Sequence, residues 1–196
     1  MRILLSALLC LPLLLFSQTT AKVIGITDGD TITVLLDGNI QKKLRLAEVD
    51  CPENRQPFGK NAKKFTSDQV FARQIMFTET NKDRYGRSVA KVYYDNGKYL
   101  SAEIIKAGYG WWYYSYSKNS DLGKMQELAK NKKRGLWQDK KAVSPWDFRK
   151  VQRENAKKKR LQKQLEQQAQ KVKDQDFGKD KTMSRPENPI QIKGQK

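Results

Sequence analysis

Three short strings carry the residues whose types and spacing could do chemistry. They are Asp28-Gly29-Asp30-Thr31, Arg45-Leu46-Ala47-Glu48-Val49-Asp50-Cys51-Pro52-Glu53, and Asp83-Arg84-Tyr85-Gly86-Arg87. They offer carboxylates for a divalent cation, a further carboxylate, and guanidinium groups. Hydrolysis of a phosphodiester asks for such a set, because it needs an oriented or cation-activated water and positive charge against the phosphate oxygens. The chain contains no histidine, so any acid–base work falls to the carboxylates.

Each string taken singly also has a plain structural reading. The first is a tight turn between strands. It is not an EF-hand loop, because the later acidic positions are missing and Asn39 stands where a closing Glu would be. In the second, period-2 alternation places Arg45, Ala47 and Val49 on one side and Leu46, Glu48 and Asp50 on the other while the strand lasts. Asp50 and Glu53 then flank the turn at Cys51-Pro52, close enough to serve one cation or one water. Hard cations such as Ca2+ take carboxylate and carbonyl oxygens. The third string is a glycine turn that delivers Arg87 to the start of a strand. Alone, these acids and arginines would read as solvated surface groups and salt-bridge partners.

The elements that must position them can be traced along the chain. Val23–Ile26 and Thr31–Leu36 are β-branched and apolar and predict strands. Asp37-Gly38-Asn39 is a hairpin signal, and Ile40–Ala47 returns as a third strand. Pro52–Gly59 is loop. Lys60–Gln74 lacks Gly and Pro, places Ala62, Phe65 and Ala72 near one face, and predicts a helix. Ile75–Glu79 and Ser88–Tyr94 predict two more strands, the second closed by Asp95-Asn96-Gly97. Leu100–Ala107 predicts a short helix stopped by Gly108, and Asn119 or Ser120 caps a third helix over Asp121–Lys133. Five short strands with a helix after the third fit a closed OB-type barrel with three helices, and also fit other α+β sheets.

Composition bounds the rest. Ile3–Phe16 is almost unbroken apolar sequence behind Met1-Arg2, followed by small and polar residues to Ala21. Residues 1–21 therefore read as a secretory signal peptide cleaved after Ala21, with an uncleaved anchor as the alternative. Cys10 follows Leu9, unlike a lipoprotein cysteine, and lies inside the leader, which leaves Cys51 as the only thiol of an exported chain. That excludes an internal disulfide. Without a histidine partner Cys51 is not a catalytic thiol.

The net charge of +18 divides between 22–148, with 23 Lys and Arg against 15 Asp and Glu, and 149–196, with 15 against 6, while Arg2 supplies the remaining charge. Both parts call for a polyanionic partner: nucleic acid, anionic lipid or an acidic envelope polymer. Residues 149–172 are rich in Lys, Arg and Gln. Their thin apolar line at Leu161, Leu165, Ala169 and Val172 is compatible with a helix but too narrow for a core. Residues 174–196 read as disordered.

The three strings together resemble the thermonuclease family, the staphylococcal-nuclease-like proteins. That family carries a D-G-D-T turn, an R-L-x-x-[VI]-D-x-P-E segment and a D-x-Y-G-R turn in this order. Weaker agreement continues through Leu100–Gly108 and Gly135-Leu136-Trp137, so the resemblance covers roughly 22–147.

The resemblance implies an OB barrel with three helices. It further implies an endonuclease acting on DNA and RNA at the 5′-oxygen, with Ca2+ as cofactor and 3′-phosphate products. Residue by residue, Asp30 and Asp50 match the Ca2+ carboxylates, and Cys51 matches the position that gives a main-chain carbonyl to the metal. Glu53 matches the acid that orients or deprotonates the attacking water. Arg45 and Arg87 match the arginines that bind the phosphate as negative charge builds. Tyr85, Tyr114 and Tyr116 match tyrosines on the substrate side, and Arg84 stands where Lys is common. Cys51 replaces the more familiar Thr, the Asn54–Gly59 loop is shorter than in the best-known member, and the basic tail lies outside the family pattern.

The expected protein is an exported monomer with a nuclease domain over 22–148. Its tail, 149–196, would contact nucleic acid or an anionic envelope polymer, or serve as a spacer. Trp111, Trp112, Tyr113 and Tyr114 would supply stacking faces in part and core in part. Two rival readings stand beside this one: an OB-type module that binds nucleic acid without cutting it, and a cationic protein that adheres to the cell envelope. Retention of every proposed catalytic side chain speaks against the first, and the clustered acids speak against the second.

Overall fold

Alternating burial sets the strands. In β2 (Thr31–Leu35), Ile32 and Val34 are fully buried, and in β6 (Ser88–Tyr94) Ser88, Ala90, Val92 and Tyr94 point inward while Val89, Lys91 and Tyr93 do not. The computed structural model describes residues 18–183, with side chains described through Lys171. β1 (Thr19–Asp28), β2, β3 (Gln41–Leu46), β5 (Gln74–Lys82) and β6 form a sheet in the order β3-β2-β1-β5-β6. Parallel pairing of Leu44, Arg45 and Leu46 with Ser88, Val89 and Ala90 closes it. The result is a five-stranded barrel of the OB type.

The short strands β4 (Val49–Asp50) and β8 (Trp111–Trp112) pair with each other, and β7 (Lys98–Tyr99) pairs with β6. The core joins barrel residues such as Val23, Leu44 and Phe77 to Ala62 of α1 (Gly59–Val70), Ile104 and Ile105 of α2 (Leu100–Ala107), and Leu122 of α3 (Ser120–Asn131).

The helix ends follow local chemistry where the sequence supplies it. The Asn119 side chain accepts the Asp121 N–H at 3.2 Å and caps α3. Gly108, with φ of +77°, stops α2. The expectation for α1 needs correction. It ends at Val70, not Gln74, because Phe71 is already extended and Ala72 is left-handed with φ of +62°. Hydrogen bonds from Ala72 N–H to Val23 O and from Val23 N–H to Arg73 O tie this stretch to β1 instead. The main-chain groups of both segments are satisfied by that pairing, which a further helical turn would forgo.

β1 begins at Thr19, ahead of Lys22, and Ala21 is buried opposite Ile75. The expected leader over residues 1–21 therefore overlaps the first strand, and its part up to residue 17 lies outside the described residues. The chain divides into two units after Pro145. The second unit is dominated by α4 (Pro145–Met183), whose side chains are exposed from Lys150 to Lys171. This helix continues past Asp174, where composition predicts disorder, and residues 184–196 lie outside the described residues. Among the described residues no helix is long and apolar enough to cross a membrane.

Candidate active site

The Asp28–Asp30 turn is held from below by α1. Thr66 Oγ1 donates to Gly29 O at 2.6 Å. A Cβ on Gly29 would lie 2.7 Å from Cys51 Cβ and 2.8 Å from Ala62 Cβ, so only glycine lets the turn sit this close to its neighbours. Asp30 is thereby pressed inward, 6% exposed. Its Oδ2 accepts the Cys51 N–H at 2.6 Å and lies 3.2 Å from Arg45 Nη1.

Arg45 gathers the site. Its Nη2 donates to Asp50 Oδ1 at 2.8 Å, and its Nη1 donates to the carbonyls of Leu46 and Val49 at 3.0 and 2.9 Å. Simple alternation places Arg45 and Asp50 on opposite sides, and the structure corrects this. β3 stops at Leu46, Glu48 turns the chain with φ of +67°, and β4 restarts at Val49, so Asp50 comes round to the guanidinium.

The electrostatics are those of crowded carboxylates. Burial pushes the Asp30 carboxyl up to about 7, with Asp28 and Asp50 adding to the rise and Arg45 and the Cys51 N–H opposing it. Burial works against the Arg45 charge, but Asp30 and Asp50 hold its pKa above the ordinary arginine value. Burial, with Asp30 beside it, pushes the Cys51 thiol well up, so this sulfur packs as a neutral group in the core.

The loop after Cys51 carries Glu53, which is half-buried. Sequence reasoning missed Gln56, which shapes this loop. Its side-chain oxygen accepts the Glu53 N–H at 3.2 Å, its main-chain N–H donates to Glu53 O at 2.8 Å, and its Nε2 donates to Val143 O at 2.6 Å. A lone glutamine in a polar loop gives no signal in sequence; only the fold reveals that it is 7% exposed.

The remaining residues come from the other strings. Asp83 organises its turn by accepting from the N–H groups of Tyr85 and Arg87 and from Arg87 Nε, at 2.9, 3.0 and 2.7 Å. A desolvation cost raises its pKa, but those hydrogen bonds outweigh it and hold the carboxyl below the usual carboxylate range. Arg87 ends this turn and directly precedes β6, whose Ser88 pairs with Leu44, the residue before Arg45 on β3. Arg84 and Arg87 both lie over the Tyr85 ring, 4.8 and 5.7 Å from its centroid, and Tyr85 is exposed.

Tyr114 and Tyr116 are exposed on a 3-10 turn after β8. The preceding tryptophans are packed instead: Trp111 lies edge-on against Trp137, and Trp112 packs on the core. The structure thus joins Asp30, Arg45, Asp50 and Cys51 directly. It carries Glu53 on the next loop, Arg87 on the turn that leads into β6, and the tyrosines on two separate turns.

Comparison with known proteins places the chain among nucleases. A sequence model of the family described as Staphylococcal nuclease homologue matches residues 43–139. The chain is 39% identical over 138 residues to an "Uncharacterized endonuclease" of Haemophilus influenzae, covering 70% of this chain and 77% of that protein. It is 34% identical over 140 residues to "Micrococcal nuclease" of Shigella flexneri, covering 66% and 80%. It is also 34% identical over 111 residues to "Staphylococcal-like nuclease CAN1" of Arabidopsis thaliana, covering 57% and 34%.

Proposed function

The chain belongs to the family of staphylococcal nuclease homologues, and from that premise we propose that it is an exported, Ca2+-dependent endonuclease. It hydrolyses phosphodiester bonds of DNA and RNA and leaves 3′-phosphates. The observation that carries the reading is the buried cluster in which Asp30 and Asp50 share the Arg45 fork. Two buried carboxylates on one guanidinium are a poor device for stability alone. Their excess of negative charge suits a place that receives a cation.

Ca2+ fits this donor set. The carboxylates of Asp30 and Asp50 and the main-chain carbonyl of Cys51 would hold it, all of them hard oxygens. Among the described residues no three His, Cys, Asp or Glu side chains converge as a metal group, so the protein's share of the ligands would be small. When bound, the cation would supply positive charge against the phosphate oxygens.

The other roles belong to the chain. Glu53 orients the attacking water and takes its proton as the new P–O bond forms. Arg45 and Arg87 donate forked hydrogen bonds to the equatorial oxygens as charge builds there. The bond to the 5′-oxygen breaks, that oxygen takes a proton from solvent, and the phosphate remains on the 3′ side. Arg84 and the exposed rings of Tyr85, Tyr114 and Tyr116 hold the nucleotide by charge and stacking, which read no sequence. The protein acts as a monomer, and α4 serves as a basic arm for the polymeric substrate.

The test is a zymogram on DNA and RNA of the purified full chain and of cytoplasmic, periplasmic and culture-fluid fractions. Cleavage should occur with Ca2+, vanish in chelator, and not return with Zn2+, which favours nitrogen and sulfur ligands. Activity should lie outside the cytoplasm, and the cut ends should need a phosphatase before a polymerase extends them. Full activity in excess chelator removes the Ca2+ role. Nucleic acid retained but uncut makes the protein a binding module.

A further inference from the structure

Glu48 turns the chain between β3 and β4 with φ of +67°, a left-handed conformation that side chains with a Cβ rarely adopt. Its side chain is only 10% exposed, and its carboxylate is engaged by separate parts of the chain. One oxygen accepts from the Tyr99 hydroxyl at 2.9 Å and lies 3.6 Å from Lys91 Nζ. The other accepts from Ser117 Oγ at 3.0 Å. The Glu48 main-chain carbonyl accepts the Tyr113 N–H at 3.0 Å. Tyr113 and Ser117 bracket the 3-10 turn that exposes Tyr114 and Tyr116. Both ends of the tyrosine segment therefore hang on Glu48, which itself lies between Arg45 and Asp50 in the chain.

We propose that Glu48 is a positioning residue that fixes the Tyr113–Ser117 segment relative to the turn carrying Arg45, Asp50 and Cys51, and so sets how tightly the nucleotide is held beside its phosphate. The role rests on the nuclease reading for its substrate. Glu48 touches no reacting atom. Removal of its carboxylate frees the Ser117 end of the segment, and a stacking surface that must be ordered on binding holds its ligand less tightly than one already in place.

The test uses the full chain. Binding of a single-stranded phosphorothioate oligonucleotide, which resists cleavage, is followed by tryptophan fluorescence, since the Trp112 ring lies 6.2 Å from that of Tyr114. KM and kcat on DNA are measured beside it. Glu48→Ala should raise both Kd and KM about tenfold while turnover at saturating substrate is kept. Glu48→Gln retains an oxygen acceptor and should recover most of the affinity. Ser117→Ala should shift Kd in the same direction by less, and it decides the matter if the alanine variant at 48 does not fold. Unchanged Kd and KM in folded variants, with only a lower melting temperature, would overturn the proposal. If the wild type binds the oligonucleotide but cuts no DNA, the nuclease reading fails and Kd alone judges Glu48.

Discussion

Arg45 satisfies carbonyls and carboxylates at once, and its side chain is 12% exposed, whereas Arg87 answers mainly to Asp83 and is 34% exposed. The two should respond differently to the same substitution. Arg45→Lys replaces a fork by a point charge inside the cluster and should lower stability by about 1–3 kcal/mol. Arg87→Lys should leave thermal unfolding almost unchanged. Both should lower kcat/KM by about 10²-fold, because the developing charge loses forked donors. Glu53→Gln should lower turnover while leaving DNA affinity nearly intact. Steady-state kinetics with parallel melting curves check all of this, and wild-type rates in all three variants would remove the site assignment.

At the scale of elements, the start of α1 locks the loop that carries Glu53. A Cβ on Gly59 would lie 1.9 Å from Glu53 O and 2.7 Å from Glu53 C, against main chain that cannot swing aside. Gly59→Ala should therefore push the loop, lowering stability by about 1–3 kcal/mol. It should also lower turnover by about tenfold or more, since small displacements of a reacting group are costly. Lys60→Ala, one position along and exposed, is the control and should change neither. A Gly59→Ala protein that melts lower yet turns over at the wild-type rate would detach Glu53 from the chemistry.

At the scale of the whole molecule, α4 adds a long basic helix, exposed from Lys150 to Lys171, that carries none of the proposed catalytic groups. A chain ending at Arg149 should melt and turn over like the full protein on short oligonucleotides. On long duplex DNA it should bind more weakly. The slope of log K against log salt should flatten by about 0.9 for each phosphate that the arm no longer neutralises. An unchanged slope would point the arm toward an anionic envelope polymer instead. Loss of folding would mean that the helix packs as structure.

The sequence alone determined the barrel strands, the three helices and the order of the motifs, because these rest on local signals: alternation in β2 and β6, the Asn119 cap, the Gly108 stop. It also supplied the chemical types at the site. What the sequence left open depended on partners distant in the chain. The end of α1 at Val70 was decided by β1, and the return of Asp50 to Arg45 by the left-handed Glu48. Glu48 and Gln56 gave no sign of their roles, since their hydrogen bonds reach Ser117 and Val143. Only closure of β3 on β6 brought the strand that follows Arg87 beside the strand that carries Arg45. A periodicity reports which side of one element is buried, whereas a site is a meeting of several elements, and only the tertiary structure decides which of them meet.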